Sequence, residues 1–415
     1  MIRTLLLTIL SIYSFHMFGQ LDLVCEGDRL VEPIFSEVQI TESVMFGVGT
    51  NVLNQEYDLL MDIYEPVGDD LTNRPVVVMA HGGSFVAGDR KNPVMVNTCT
   101  ELAKRGYVAA SIEYTLWPLI AYGFQLPDST DLINVIALAS GDLKTAIRFF
   151  NEDGLNDNTY GVNPGLISAG GYSAGAILAC HQGMLDVDDE LTEFVQTAFD
   201  EVGGIEDLGT NLEFSDDIIS VFNISGSVYD VDFIDANSSP IYSAHGEIDG
   251  TVPYMFGLTG SIMTSNGSFN INQRYQSEGL ESQLFTFEGG GHTDIFSDAV
   301  YADDLLTMYN NFFTWNKEQI CSVIASNEYL EIASVNIYPN PTDGIVNFQL
   351  GRDLNTAYQV EVYNQLGQLF YTSQTFHEAD KQLDLSHLED GLYLVKINFE
   401  ENYQPLTKRI VMSNK

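Results

Sequence analysis

Gly171-Tyr172-Ser173-Ala174-Gly175 is the stretch whose reading decides the fold of this chain. It follows an apolar run, Leu166-Ile167-Ser168-Ala169, and precedes a helix-like segment, Ala176-Ile177-Leu178-Ala179-Cys180-His181. A G-x-S-x-G pattern between a strand and a helix sets a serine on a sharp, strained turn with its hydroxyl above the sheet. The glycines follow from that geometry, because a side chain at either one would collide with the neighbouring strand or helix. Ser173 is therefore a candidate nucleophile, and the surrounding chain has to supply its partners.

Working outward, Pro75-Val76-Val77-Val78-Met79-Ala80 is apolar at every residue, as a strand buried on both faces of a parallel sheet should be. Residues 38–48 and 57–64 read as earlier strands, and 107–112, 218–224, 240–244 and 282–287 as later ones. Helical patterns are expected at 94–105, ending at Gly106, at 132–150 with a possible split at Gly141, and at 297–315. The acidic stretch 185–217 has a mixed pattern and reads as helices of a cap or of an excursion from the sheet. Strands alternating with helices over about 300 residues predict an α/β domain built on a doubly wound, mostly parallel sheet.

A nucleophilic serine needs a base, a group to orient the base, and donors for the oxyanion. His16 falls in the N-terminal leader, His377 and His387 in a C-terminal region of different character, and His181 on the helix after the turn. His81 and His245 each precede a glycine at a strand end, where the ring usually bonds its own loop. Elimination leaves His292, in Glu288-Gly289-Gly290-Gly291-His292. For the acid, Asp249 competes with Glu247, Asp230 and Asp232, and its turn position ahead of Val252-Pro253 favours it. His81-Gly82-Gly83-Ser84 follows an early strand, where small residues let backbone amides approach a substrate oxygen. Trp117, Tyr122 and Phe124 either line an aromatic binding wall or pack beneath a loop.

These residues resemble the α/β-hydrolase fold, in the esterase and lipase group that carries an HGG motif. The resemblance runs from about Tyr57 to Trp315. It rests on Leu60-Met61-Asp62-Ile63-Tyr64, His81-Gly82-Gly83-Ser84-Phe85, Gly171-Tyr172-Ser173-Ala174-Gly175, His245-Gly246 with Asp249 and Val252-Pro253, and Gly291-His292. It implies a carboxylic ester hydrolase with Ser173 as nucleophile, His292 as general base and acid, and Asp249 as the orienting carboxylate. It also implies oxyanion donors at Gly83, Ser84 and Ala174, and no metal or cofactor. Ser84 stands where a third glycine is commoner, and Glu113-Tyr114 where Asp-Tyr is. A peptidase similar to prolyl oligopeptidases, and a silent binding protein on the same scaffold, are the competing readings. Acetylated or feruloylated polysaccharide, a lipid ester and a polyester all suit an exported esterase.

From residue 335 the pattern changes to short alternating strands with turn signals, the signature of a small β-sandwich. Tyr338-Pro339-Asn340-Pro341-Thr342-Asp343-Gly344, Val362-Tyr363-Asn364-Gln365-Leu366-Gly367, Leu385 to Gly391 with Tyr393, and Lys408-Arg409-Ile410-Val411 resemble the type A sorting domain of the type IX secretion system. That resemblance implies export across the outer membrane, with the secretion machinery as partner.

Residues 1–19 carry one early positive charge and a short apolar core, which predicts a signal peptide rather than a membrane span. The expected order is signal peptide 1–19, catalytic domain 20–320, linker 321–334 and sorting domain 335–415. The net charge is −41, and Arg274 is the only basic residue between Phe149 and Asn316. Such a chain repels phosphate backbones and anionic bilayers, which argues against nucleic-acid binding and stable membrane insertion. Of the four cysteines, Cys25 and Cys321 bracket the large domain and are expected to staple its ends. Cys99 and Cys180 are expected as buried thiols.

Overall fold

The computed structural model describes residues 23–187, 189–205, 207–325, 335–350, 357–364, 368–376, 380–399 and 406–413. The expected signal peptide, residues 326–334 of the expected linker, and His377 lie outside these. The chain divides into two compact units, one spanning Gln20–Cys321 and the other containing Ser322–Lys415.

In the larger unit an eight-stranded sheet is built from β1 (Val38–Thr50), β2 (Glu56–Pro66), β3 (Arg74–Ala80), β4 (Val108–Ile112), β5 (Val162–Tyr172), β6 (Val221–Ile224), β8 (Ile241–Gly246) and β11 (Ser282–Phe287). The order across it is β1-β2-β4-β3-β5-β6-β8-β11. From β4 to β11 every neighbour is parallel, whereas β1–β2 and β2–β4 are antiparallel. The seven residues of β3 are all buried, matching its unbroken apolar run. The chain leaves β3 for β4 on one side and returns through β5 on the other, so the strand order reverses between β3 and β5. Ligand crevices form outside the carboxyl ends of strands at such a switch point. Here those ends pair Ala80 with Gly171, so the His81-Gly82-Gly83 loop and the Ser173 turn emerge side by side.

Helices α1 (Pro93–Ala103), α2 (Ser129–Leu155) and α3 (Ala174–Met184) pack against this sheet. The capping box of α2 is reciprocal: the Asp128 carboxylate accepts from the Thr130 and Asp131 amides, and Asp131 accepts from the Asp128 amide. The expected break at Gly141 is absent, and α2 runs 27 residues. Gly141 serves close packing, since a Cβ there would lie 2.9 Å from the Gly209 backbone nitrogen. The stretch 185–217 contains one helix among its described residues, α4 (Glu193–Glu201). Two features had no sequence counterpart. A small sheet is ordered β7 (Ser227–Val228), β10 (Met263–Gly267), β9 (Phe256–Thr259), and α5 (Ser268–Glu278) follows it. The closing helix differs too: a single turn, α6 (Asp294–Ser297), precedes α7 (Ala302–Ala325), which extends through the first residues expected as linker.

Cys25 and Cys321 form a disulfide, and Cys99 and Cys180 are buried free thiols whose burial pushes their pKa values far up. The loop closed by the disulfide spans 296 residues, and constraining it in the unfolded chain is worth about 2–5 kcal/mol.

Asp142 on α2 is buried and accepts from the Thr115 amide and hydroxyl, each at 2.7 Å, and from the Tyr57 hydroxyl at 3.4 Å. Burial outweighs these bonds and raises its carboxyl to about 6. Between about pH 4 and that value the folded protein holds a proton the unfolded chain has released, so stability from this group falls as pH rises. Above the window the ionised carboxylate costs about 3 kcal/mol. Asp142→Asn is expected to be more stable than the parent above pH 6 by about 1–2 kcal/mol, and to lose that advantage by about pH 4. Denaturant unfolding across this pH range checks it, and a pH-independent difference would contradict the account.

The second unit is a β-sandwich. One sheet is ordered β12 (Val335–Tyr338), β13 (Ile345–Leu350), β16 (Asp380–Asp384), and the other β15 (Leu369–Thr372), β14 (Tyr358–Asn364), β17 (Gly391–Phe399), β18 (Leu406–Met412). All pairings between these strands are antiparallel, and alternate residues such as Val346, Phe348, Val360, Val362, Val395 and Ile397 form the core.

Candidate active site

Ser173 sits between the end of β5 and the start of α3 with φ 56° and ψ −119°. The flanking glycines permit this. A Cβ on Gly171 would lie 2.4 Å from the Gly175 carbonyl carbon, and one on Gly175 would lie 2.0 Å from the Ala80 oxygen. The first clash is with the helix and the second with β3, so only glycine lets strand and helix approach this closely.

The residues singled out from sequence meet here across wide separations. Ser173 Oγ lies 2.8 Å from His292 Nε2, and His292 Nδ1 lies 2.6 Å from Asp249 Oδ2. A carboxylate only accepts, so Nδ1 carries the proton and the bare Nε2 accepts from the serine hydroxyl. Asp249 follows β8, and its Oδ1 accepts from the Thr251 and Val252 amides at 2.8 and 3.0 Å. Burial raises the Asp249 carboxyl, but hydrogen bonds from His245 and His292, the electrostatic attraction of the His292 ring and the Thr251 amide outweigh it. The net result lies well below the usual carboxylate range. The competing acids take local roles: Glu247 accepts from the Gly289 amide and Asp230 from the Asp232 amide, while the Asp232 side chain is exposed.

The oxyanion candidates lie on the two loops that emerge side by side from the ends of β3 and β5. Gly83 has φ 139°, and Ser84, standing in place of a third glycine, adopts φ 56°. Ala174 opens α3, so its amide belongs to the first turn, which lacks intrahelical acceptors and carries the positive end of the helix dipole. Tyr114 braces the loop, donating its hydroxyl to the His81 carbonyl at 2.6 Å and stacking on the His81 ring at 4.4 Å. Glu113 pairs with Arg90, which also donates to Asp62 at 2.8 Å. As expected, the His81 ring bonds its own loop through Nδ1 and the Gly82 carbonyl, 2.8 Å away.

Two supports were not anticipated. Tyr172, inside the pentapeptide itself, donates to the His292 carbonyl at 2.8 Å, and its ring stacks on the imidazole at 5.3 Å. His245 is fully buried, with Nε2 lying 3.1 Å from the Val252 carbonyl and 3.3 Å from Asp249 Oδ2. A carbonyl only accepts, so Nε2 carries the proton, and Nδ1 accepts from the Ser268 hydroxyl at 2.7 Å. The clue in the sequence was the His245-to-Asp249 spacing of four residues.

A cavity of about 250 Å³ opens beside Ser173, bounded by Ala174 and Ser84, by Leu185, Val195 and Phe199 of the acidic stretch, and by the β9–β10 hairpin. The aromatic wall read from sequence is not part of it. Trp117 is buried, donates to the Gln125 carbonyl and stacks on Tyr122, so these rings pack the loop, and Phe124 is 76% exposed. Among the described residues, no group of three or more His, Cys, Asp or Glu side chains could hold a metal ion, and no helix is long and apolar enough to cross a membrane.

Residues 336–413 match the family model described as the secretion system C-terminal sorting domain, and residues 61–207 match the one described as BD-FAE. The β-sandwich is thus a type IX sorting domain, which directs the chain to the cell surface or beyond, and the larger unit has the α/β-hydrolase fold. The BD-FAE match covers the His81-Gly82-Gly83 loop and the Ser173 turn, and ends before Asp249 and His292. The chain is 34% identical over 98 residues to ulvan lyase NLR42 of Nonlabens ulvanivorans; the match takes in 23% of this chain and 17% of that protein's length. Among solved structures it is similar to Thermogutta terrifontis esterase 2 phosphoramylated by tabun (20% identity, TM-score 0.47, covering 68% of this chain and 95% of that one). It is also similar to a truncated form of a carbohydrate esterase from gut microbiota (18% identity, TM-score 0.47, covering 69% and 98%).

Proposed function

We propose that this α/β-hydrolase, exported behind a type IX sorting domain, is a serine hydrolase of carboxylic esters that works through an acyl-enzyme. The observation that carries the reading is the unbroken hydrogen-bond chain from Ser173 through His292 to Asp249, mounted on a strained turn. Ser173 Oγ attacks the ester carbonyl as His292 Nε2 takes its proton, and Asp249 steadies the imidazolium that forms. The amides of Gly83, Ser84 and Ala174 stabilise the tetrahedral oxyanion, each such donor being worth about 10²–10³ in rate. His292 then gives the proton to the departing alcohol. A water deprotonated by His292 releases the acid, restoring the free serine. No step calls for a metal or an organic cofactor.

The full chain is expected to hydrolyse p-nitrophenyl esters and to take up one fluorophosphonate adduct per molecule, located on the peptide containing Ser173 by mass spectrometry. Labelling elsewhere, or turnover that persists after complete labelling, would overturn the assignment. Cleavage of a proline-containing aminoacyl amide without ester turnover would move the site to the peptidases.

A further inference from the structure

We infer that the acid half of the substrate is an unbranched, apolar acyl chain of about eight carbons, accepted by the cavity beside Ser173; the inference rests on the serine-hydrolase reading above. A methylene needs about as much room as a water molecule in the liquid, roughly 30 Å³, and the cavity measures about 250 Å³. Its walls include Ile133, Ile136, Ile177, Leu191, Phe233 and Met263, and among the described residues no Asp, Glu, Lys or Arg lines it.

Five of the polar side chains on the wall, His181, Ser227, Tyr229, Thr259 and Ser265, are engaged with other side chains or with backbone. His181 uses Nδ1 on the Ile177 carbonyl at 2.8 Å and Nε2 on the Tyr229 amide at 3.2 Å, and burial lowers its pKa, keeping it neutral. The hydroxyls of Thr259, Ser265 and Ser227 form a chain, with Ser265 donating to Ser227 at 2.9 Å. The Tyr229 hydroxyl meets Thr192 at 3.3 Å. A sugar hydroxyl, a phenol or a carboxylate carried into this space would give up water and find no charged partner and few free polar ones, whereas a methylene chain gains by entering.

Which half of the ester enters follows from the proton path. The departing oxygen must receive its proton from His292 Nε2, so the alcohol lies on the His292 side of the attacked carbon. His292 is absent from the cavity wall, which instead carries Ser173, Ala174 and Ser84. The half directed into the cavity is therefore the acyl half. The roof is supplied by the acidic stretch and the β9–β10 hairpin, the parts least legible in the sequence.

The test uses the full chain with p-nitrophenyl esters of two to sixteen carbons, together with acetylated xylan and methyl ferulate. The expected kcat/KM rises about fourfold per methylene to a maximum near eight carbons, ~10³-fold or more above the acetate, and falls beyond about ten. Val195→Phe is expected to move the maximum to shorter chains and Phe199→Ala to longer ones, with melting temperatures reporting that each variant folds. Ser173-dependent turnover that peaks at acetate or ferulate overturns the inference and leaves the hydrolase reading intact. So does a maximum unmoved in folded variants. Absence of Ser173-dependent turnover on every ester overturns both.

Discussion

Ser173→Ala is expected to hydrolyse p-nitrophenyl octanoate at least ~10⁴-fold more slowly than the parent while folding and binding normally. The loss is large because no other group can form the acyl bond. What survives is water attack assisted by the oxyanion amides alone. The fold should tolerate the change, since alanine keeps the Cβ and the φ of 56° is no worse for it than for serine. The side-chain hydrogen bond removed is the one to His292, so stability should shift by no more than about 1 kcal/mol. Rates, a thermal melt and the inhibition constant of octanoate separate these components. Retention of more than about 1% of parental kcat/KM would show that Ser173 is not the nucleophile.

Asp249→Asn is expected to lower kcat by about 10³–10⁴ through a change of tautomer rather than of shape. The reason is local. Oδ1 accepts from the Thr251 and Val252 amides, and that position must remain an oxygen. The amide nitrogen is then forced into the Oδ2 position, facing His292 Nδ1 and the Nε2–H of His245. An N–H aimed at Nδ1 drives the histidine proton to Nε2, where it opposes the serine hydroxyl and can take no proton from it. KM should change far less than kcat, because Asp249 does not border the acyl cavity. A fall below about tenfold would place the orienting acid elsewhere.

The sequence carried the centre of this site well and its surroundings poorly, and the division has a physical cause. His292 follows the half-exposed edge strand β11 and is marked by its run of glycines, whereas the Ser173 turn, the His81-Gly82-Gly83 loop and the turn bearing Asp249 lie just after buried parallel strands. Such strands announce themselves as unbroken apolar runs bounded by glycine. The roof has no such signature. β9 alternates exposed with half-buried residues, and α4 follows a run of acidic residues whose charge masks a short apolar stripe. Their contribution to the site comes from long-range packing over the cavity, and local periodicity does not record that. Tyr172 was hidden differently: it stood within a recognised motif, but its hydrogen bond runs to His292, 120 residues away, a partner fixed only once the chain has folded.

The disulfide between Cys25 and Cys321 makes the catalytic unit a covalent ring, with both anchors upstream of residue 326. Cleavage anywhere after Cys321 detaches the sorting domain without opening that ring. A single proteolytic nick inside it leaves two fragments tied together, with Ser173, Asp249 and His292 still on one covalent body. For a chain sent to the cell surface or beyond, the ring turns a first cut from a loss of chain into a tolerable scar.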